Sequence, residues 1–152
     1  MNFEISTLKE FSVVGISVRT TNENKQSQKD INELWGRLIN ESIAAKISDK
    51  CNNSIYSIYT DYESDFMGAY TTILGFKVSG FKNLPQGLVA KTIPISTYRI
   101  YKSNGKLPDC VVNTWEHIWE TNVKRKYLTD FDVYPPDAFY SDNPIIATYL
   151  SI

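Results

Sequence analysis

The fold is decided by the stretch STYRIYKSNGKLPDCVVNTWEHIWETNVKRKYLTDFDVY, residues 96–134, which holds a strand, a turn, a helix and a second strand in that order. Ser96 to Lys102 alternates as a strand, and Asn104-Gly105 is a strong turn signal. The helix predicted from Pro108 to about Lys124 has one apolar stripe at helical spacing, made of Val111, Val112, Trp115, Ile118 and Trp119. A strand from Leu128 to Tyr134 follows.

The same order of elements occurs earlier in the chain. Strands are predicted at Phe3–Thr7, Phe11–Thr20, Ser54–Thr60, Ala69–Val78, Leu88–Ile93 and Ile145–Ile152, and a first helix from Ser27 to about Ile47. A strand-helix-strand-strand unit therefore covers about residues 11–78 and again about 96–152. We predict an α+β fold of duplicated βαββ units, with an antiparallel sheet, two helices on one side and a ligand cleft between the repeats. The whole of 1–152 is expected to be a single domain.

Composition excludes several classes of function. The 152 residues carry a net charge of −1, whereas nucleic-acid binders usually show a basic excess, so no direct nucleic-acid partner is expected. The one basic run, Lys124-Arg125-Lys126, is expected to be solvated at a helix end. No apolar run reaches membrane-spanning length and no signal peptide is visible, so we expect a cytoplasmic protein without a membrane partner.

Catalytic and metal-binding signatures are also missing. The chain has no G-x-S-x-G, H-E-x-x-H, P-loop or G-x-G-x-x-G motif. Its only histidine, His117, points away from the apolar stripe of its helix. Cys51 and Cys110 cannot supply the roughly four ligands of a structural zinc site. We therefore expect a non-catalytic protein without a metal or cofactor.

Aromatic residues and one carboxylate are the unusual features. The chain has ten Tyr, seven Phe and three Trp, and buried phenol hydroxyls need partners. Asp132 lies inside an apolar strand, where alternation places it on one face with Tyr134, opposite Phe131 and Val133. A mid-strand carboxylate indicates either a solvated face or a pocket in which the charge lies beside aromatic rings.

Other rings are placed by the same alternation. Tyr70 and Phe76 share one strand face, and Tyr98 shares another with Ile100. The three tryptophans lie in helix stripes, which is consistent either with core packing or with a cleft. The candidate ligand-binding residues are Asp132, Tyr134, Tyr98, Tyr70, Phe76, Tyr59, Trp35, Trp115 and Trp119.

The order and spacing of several short motifs match a known superfamily over nearly the whole chain. The matching segments are Ile31-x-x-Leu34-Trp35-x-Arg37, Ile55-Tyr56-Ser57-Ile58-Tyr59, Tyr70 with Gly75-Phe76-Lys77-Val78, Ile93-Pro94-x-x-x-Tyr98-x-x-Tyr101, Gly105, Trp115-x-x-Ile118-Trp119 and Phe131-Asp132-Val133-Tyr134. In these segments the chain resembles the bacterial GyrI-like, or AraC-type, effector-binding (multidrug-binding) domain superfamily, as a stand-alone member.

The resemblance implies a cleft between the repeats that binds a small aromatic or cationic effector, and a role in transcriptional or drug-response regulation. Relatives have a cleft glutamate, which in the multidrug-sensing members attracts lipophilic cations. Asp132 stands at that position with a side chain one methylene shorter. Ser96-Thr97 replaces the family's Ala-Gly before the strand tyrosine.

Two alternatives come from stand-alone relatives. One is a hydrolase of electrophilic xenobiotics that uses the same cleft. The other is a protein-interaction module that resembles gyrase inhibitors, with a regulator or topoisomerase as partner and the acidic segment Asp61 to Asp65 as its surface. A monomer or weak dimer is expected.

Overall fold

The computed structural model describes residues 1–152. It contains eight strands and two α-helices: β1 (Phe3–Leu8), β2 (Phe11–Thr21), α1 (Gln26–Asn40), β3 (Ile55–Thr60), β4 (Ala69–Val78), β5 (Val89–Ile93), β6 (Ser96–Asn104), α2 (Asp109–Glu120), β7 (Thr129–Tyr134) and β8 (Ile145–Ser151). The predicted α+β class, with antiparallel strands and two helices, is confirmed.

All eight strands form one antiparallel sheet in the order β1-β6-β8-β7-β3-β4-β2-β5. The order is symmetric, because β7 and β3 pair at the centre, β8 and β4 flank them, β6 and β2 come next, and β1 and β5 form the edges. The central pair sets Ser57 opposite Asp132 and Tyr59 opposite Asp130. The two acidic side chains of β7 therefore lie at the middle of the sheet.

Both helices pack on one face of the sheet. Leu34 and Leu38 of α1 join a core cluster with Val14, Leu74 and Phe76 from β2 and β4. On the other half, α2 contributes Val111, Trp115 and Ile118 to a cluster with Ile146 and Leu150 of β8. Trp35 packs against both clusters and so connects the two halves. Neither helix is long and apolar enough to cross a membrane.

The ends of both helices differ from the prediction. The first helix ends at Asn40 rather than Ile47, because Ser42 adopts a left-handed conformation and a short 3-10 turn, Ile43–Lys46, follows. Ile43 and Ile47 are still buried against the core, so the apolar pattern continues after the helix has ended. The second helix ends at Glu120 rather than Lys124, and the basic run lies in the connection to β7.

The opposite face of the sheet is also apolar. Phe131 stacks on Tyr149 with ring centroids 4.5 Å apart, and Tyr98 meets the edge of Phe131 at 5.3 Å. These rings belong to a cluster that contains no residue of either helix. Tyr98, Phe131 and Tyr149 are therefore separated by the sheet from everything that lies between the helices.

Candidate functional site

A cavity of about 250 Å³ lies between α1 and α2, above β3 and β4. Six of its fourteen wall residues are aromatic: Tyr59, Tyr62, Phe66, Tyr70, Trp115 and Trp119. The remaining wall is formed by Ile31, Val111 and Val112 and by the polar residues Asn22, Ser27, Gln28, Glu116 and Arg125. Trp119 and Val112 are 45% and 47% exposed, so this side of the cavity opens to solvent.

The carboxylate of Asp132 lies directly beneath two rings of the cavity wall. Tyr59 donates its hydroxyl to Oδ2 at 2.8 Å, and the indole Nε1 of Trp115 donates to both oxygens at 3.1 and 3.2 Å. Thr148 donates to Oδ1 at 2.5 Å. Asp132 is fully buried and does not itself line the cavity, so its charge reaches the cavity through Tyr59 and Trp115.

Burial raises the pKa of Asp132 to about 6. The hydrogen bonds from Thr148, Tyr59 and Trp115 oppose this rise because they favour the ionised form, while the neighbouring Asp130 carboxylate adds to it. The phenol of Tyr59 responds in the same direction: burial and the charge of Asp132 raise its pKa well above the usual value. Tyr59 therefore stays protonated and remains a hydrogen-bond donor.

A second buried carboxylate, Asp130, lies two residues along β7 on the same face. Arg125 Nη2 meets its Oδ2 at 2.9 Å, and the Tyr62 hydroxyl donates to the same oxygen at 2.6 Å. The backbone N–H and the hydroxyl of Ser151 donate to Oδ1 at 2.7 and 2.9 Å. Asp130 is thus paired with a cation, whereas Asp132 forms no salt bridge.

The position of Arg125 contradicts the expectation that the basic run Lys124-Arg125-Lys126 is solvated. Its side chain is only 5% exposed, and its guanidinium carbon lies 4.3 Å from the centroid of the Tyr127 ring and 5.7 Å from that of Trp115. Burial lowers its pKa, but the charge and hydrogen bond of Asp130 together with the phenols of Tyr62 and Tyr127 outweigh this effect, and the pKa is raised. Arg125 is buried because the chain turns back toward β7 after α2 ends, which places it under Trp115.

Five of the nine residues singled out from the sequence meet at the cavity. Tyr59, Tyr70, Trp115 and Trp119 line it, and Asp132 lies beneath it. Tyr134 and Trp35 lie on the same side of the sheet but contact each other edge to face, with centroids 5.0 Å apart, outside the cavity wall.

The other two residues lie further away. Phe76 is buried in the core beneath α1, and the amino group of Lys50 lies 5.1 Å from its ring centroid. Tyr98 is on the opposite face of the sheet because strand alternation puts it on the side of Ile100 and Phe131.

Tyr62, Phe66, Arg125 and Asp130 are among the residues of the site that were not singled out from the sequence. Alternation along β7 offered a signal for Asp130, because residues two apart share a strand face. Tyr62, Phe66 and Arg125 lie in connections, and no periodic signal places a connection relative to a cleft.

An open antiparallel sheet with two helices on one face and an aromatic cavity between them defines an effector-binding class of protein. The chain matches the family of Cass2, the integron-associated effector binding protein, over residues 4–152, and it belongs to that family. The resemblance to effector-binding proteins noted in the sequence is thereby confirmed.

Two solved structures and one protein sequence are similar to this chain over nearly its whole length. The Vibrio cholerae integron cassette protein VCH_CASS2 has a crystal structure that matches with a TM-score of 0.76 at 30% identity, covering 98% of this chain and 94% of that one. SAV2435, whose structure was solved bound to tetraphenylphosphonium, matches with a TM-score of 0.81 at 19% identity, covering 99% and 93%. YobU of Bacillus subtilis (strain 168), named provisionally as a transcriptional regulator, is 28% identical over 150 residues, which are 95% of this chain and 92% of that protein.

Proposed function

We propose that the chain binds a small aromatic cation in the cavity between α1 and α2, and that this binding serves transcriptional or drug-response regulation. One observation carries the proposal: an aromatic cavity lies directly over a buried carboxylate that has no cation of its own. A bound cation would supply the missing positive charge.

The rings supply the first part of the attraction. A cation over the face of a Tyr or Trp ring gains ~0.5–2 kcal/mol, more where water is excluded. Tyr59 and Trp115 meet edge to face with centroids 5.4 Å apart, and Tyr70 lies 6.2 Å from Tyr59. These rings form a corner in which a cation contacts several aromatic groups at once.

The charges supply the second part. Glu116 and Arg125 are the charged residues of the cavity wall, and Arg125 is already paired with Asp130. Asp132 is left as an uncompensated negative charge above its pKa of about 6. Near neutral pH the field in the cavity is therefore negative, which favours a cationic over an anionic ligand of the same shape.

The size of the cavity and the relatives agree with this ligand class. About 250 Å³ accommodates one or two aromatic rings, and larger ligands would extend through the open side near Trp119. SAV2435 binds tetraphenylphosphonium, and YobU is named as a regulator. These relatives support an effector role for the cavity of this chain.

Isothermal titration with tetraphenylphosphonium and with tetraphenylborate, two ions of the same shape and opposite charge, tests the proposal. At pH 7.5 we expect the cation to bind about tenfold or more tightly than the anion. Asp132→Asn should remove most of this preference, whereas Asp137→Asn, an exposed carboxylate outside the cavity, should leave it unchanged. Equal affinity for both ions, or no binding, would contradict the proposal.

A further inference from the structure

Arg125 has donors that the protein itself does not use. Of its three guanidinium nitrogens, Nη2 donates to Asp130, while Nε is enclosed without a hydrogen-bond partner. Nη1 has no hydrogen-bond partner in the protein either. A buried guanidinium that uses one of its five N–H groups is unusual, because an unmade buried hydrogen bond costs about 1–3 kcal/mol.

Of the two unused nitrogens only Nε is enclosed, so Nη1 is the donor that a ligand in the cavity could reach. Arg125 forms part of the cavity wall, and its side chain is only 5% exposed. The centroid of the Tyr127 ring lies 4.3 Å from its guanidinium carbon, and the hydrogen bond from Nη2 to Asp130 fixes one side of the guanidinium. The guanidinium is therefore held in place before any ligand arrives, so little conformational entropy remains to be lost on binding.

We infer that Arg125 determines ligand specificity by donating a hydrogen bond to a neutral acceptor on the bound cation, such as a carbonyl oxygen. The preferred ligand class is then an aromatic cation with an acceptor at one end. This inference rests on the proposed function and adds a second requirement to it. Asp130 makes the arrangement compatible with a cationic ligand, because it neutralises the guanidinium at 2.9 Å.

The acceptor is expected to be uncharged. Glu116 in the cavity wall and Asp132 beneath it both disfavour a carboxylate or phosphate group. Arg125 has no free net charge to offset them, since Asp130 already balances it. A carbonyl or ether oxygen accepts a strong hydrogen bond from a guanidinium without bringing in a charge.

Two matched cations test the inference on the unaltered protein: 4-acetyl-N,N,N-trimethylanilinium and 4-isopropyl-N,N,N-trimethylanilinium. They share ring, charge and outline and differ in one carbonyl group. We expect the acetyl compound to bind about tenfold more tightly, the usual effect of one hydrogen bond to a charged group. Equal affinity, or no measurable binding of the acetyl compound, would overturn the inference.

Two variants test whether Arg125 causes the preference for the acetyl compound. Arg125→Lys keeps the ion pair with Asp130 but removes the planar guanidinium and its fixed N–H donors. The ratio of the affinities for the acetyl and isopropyl compounds should therefore fall to near one. Lys124→Met, which changes an exposed neighbour outside the cavity, should keep the ratio. If the affinity ratio is unchanged in Arg125→Lys, Arg125 does not determine the preference and the inference is wrong.

The same titrations separate this inference from the proposed function. If tetraphenylphosphonium binds but the acetyl compound has no advantage, the cation site stands and the role of Arg125 fails. If none of these cations binds, both fail.

Discussion

The carboxylate of Asp132 is fully enclosed, and the groups that touch it are hydrogen-bond donors rather than cations. Its pKa of about 6 in the folded chain exceeds the ordinary 3.8, so the folded state binds this proton more tightly than the unfolded state. Its contribution to stability is therefore complete below about pH 4 and is lost as the pH rises through 6. Near neutral pH the residue opposes folding, which is typical of a residue retained for binding.

Asp132→Asn should remove this penalty without disturbing the shape of the site, because the amide oxygen still accepts from Tyr59 and Trp115. The free energy of unfolding of the variant, relative to the parent chain, should increase from pH 4 to pH 8. The increase is at most about 3 kcal/mol, from a pKa difference of about two units. Urea unfolding at a series of pH values measures it, and a difference that does not change with pH would contradict the account.

At the scale of elements, β2 and β4 approach closely where two glycines face each other. Gly15 pairs with Gly75 in an unbroken antiparallel register. A Cβ on Gly15 would collide with the carbonyl of Leu74, and one on Gly75 would collide with the carbonyl of Val14. The two glycines therefore mark a close approach of β2 to β4 on the face of the sheet away from the helices, since their neighbours Val14, Ile16, Leu74 and Phe76 face α1.

Gly15→Ala should destabilise the chain by at least about 2 kcal/mol, because backbone atoms must move to admit the methyl group. Gly36→Ala is the matched control: it lies within α1 and an added Cβ meets nothing within 4 Å. This control should raise stability by about 0.5–1 kcal/mol through helix propensity. Denaturant unfolding measures the free energy of unfolding of both variants. Similar changes in the two would contradict the close approach of β2 to β4.

The exposed side of α2 forms part of the cavity wall. Trp119 is 45% exposed and contributes its ring to that wall. Trp119→Ala should therefore weaken tetraphenylphosphonium binding about tenfold while changing stability by less than about 1 kcal/mol.

Ile39→Ala provides the control for Trp119, because Ile39 is 70% exposed on α1 and lies outside the cavity. This substitution should alter neither binding nor stability. Unchanged binding in Trp119→Ala would show that the ligand does not reach this side of the cavity.

The elements themselves were predictable from the sequence, but the site was predictable only in part. Strand alternation placed Asp132 and Tyr134 on one face, and helical spacing placed Trp115 in a buried stripe, because these patterns follow from local geometry. Arg125 and Tyr62 depend on the paths of two connections, which tertiary packing determines. The sequence showed that Tyr98 alternates with Arg99, but it did not show which of the two faces the helices.

At the scale of the whole molecule, the symmetric strand order brings the middle of the chain and its last third together. The central pairing of β3 with β7 places Tyr59 beside Asp130 and Asp132, and the helices of the two halves close over it. The cavity therefore takes residues from both halves, and neither half contains it alone. A site of this kind exists only when the sheet is complete, so ligand binding should also stabilise the folded chain.

A crystal structure of the chain with tetraphenylphosphonium would show directly where the cation binds. We expect ligand density between α1 and α2, in contact with Tyr59, Tyr70, Trp115 and Trp119 and above the Asp132 carboxylate. Density at another surface, such as the groove beside Val78 and Pro85, or an empty cavity at saturating ligand, would contradict it.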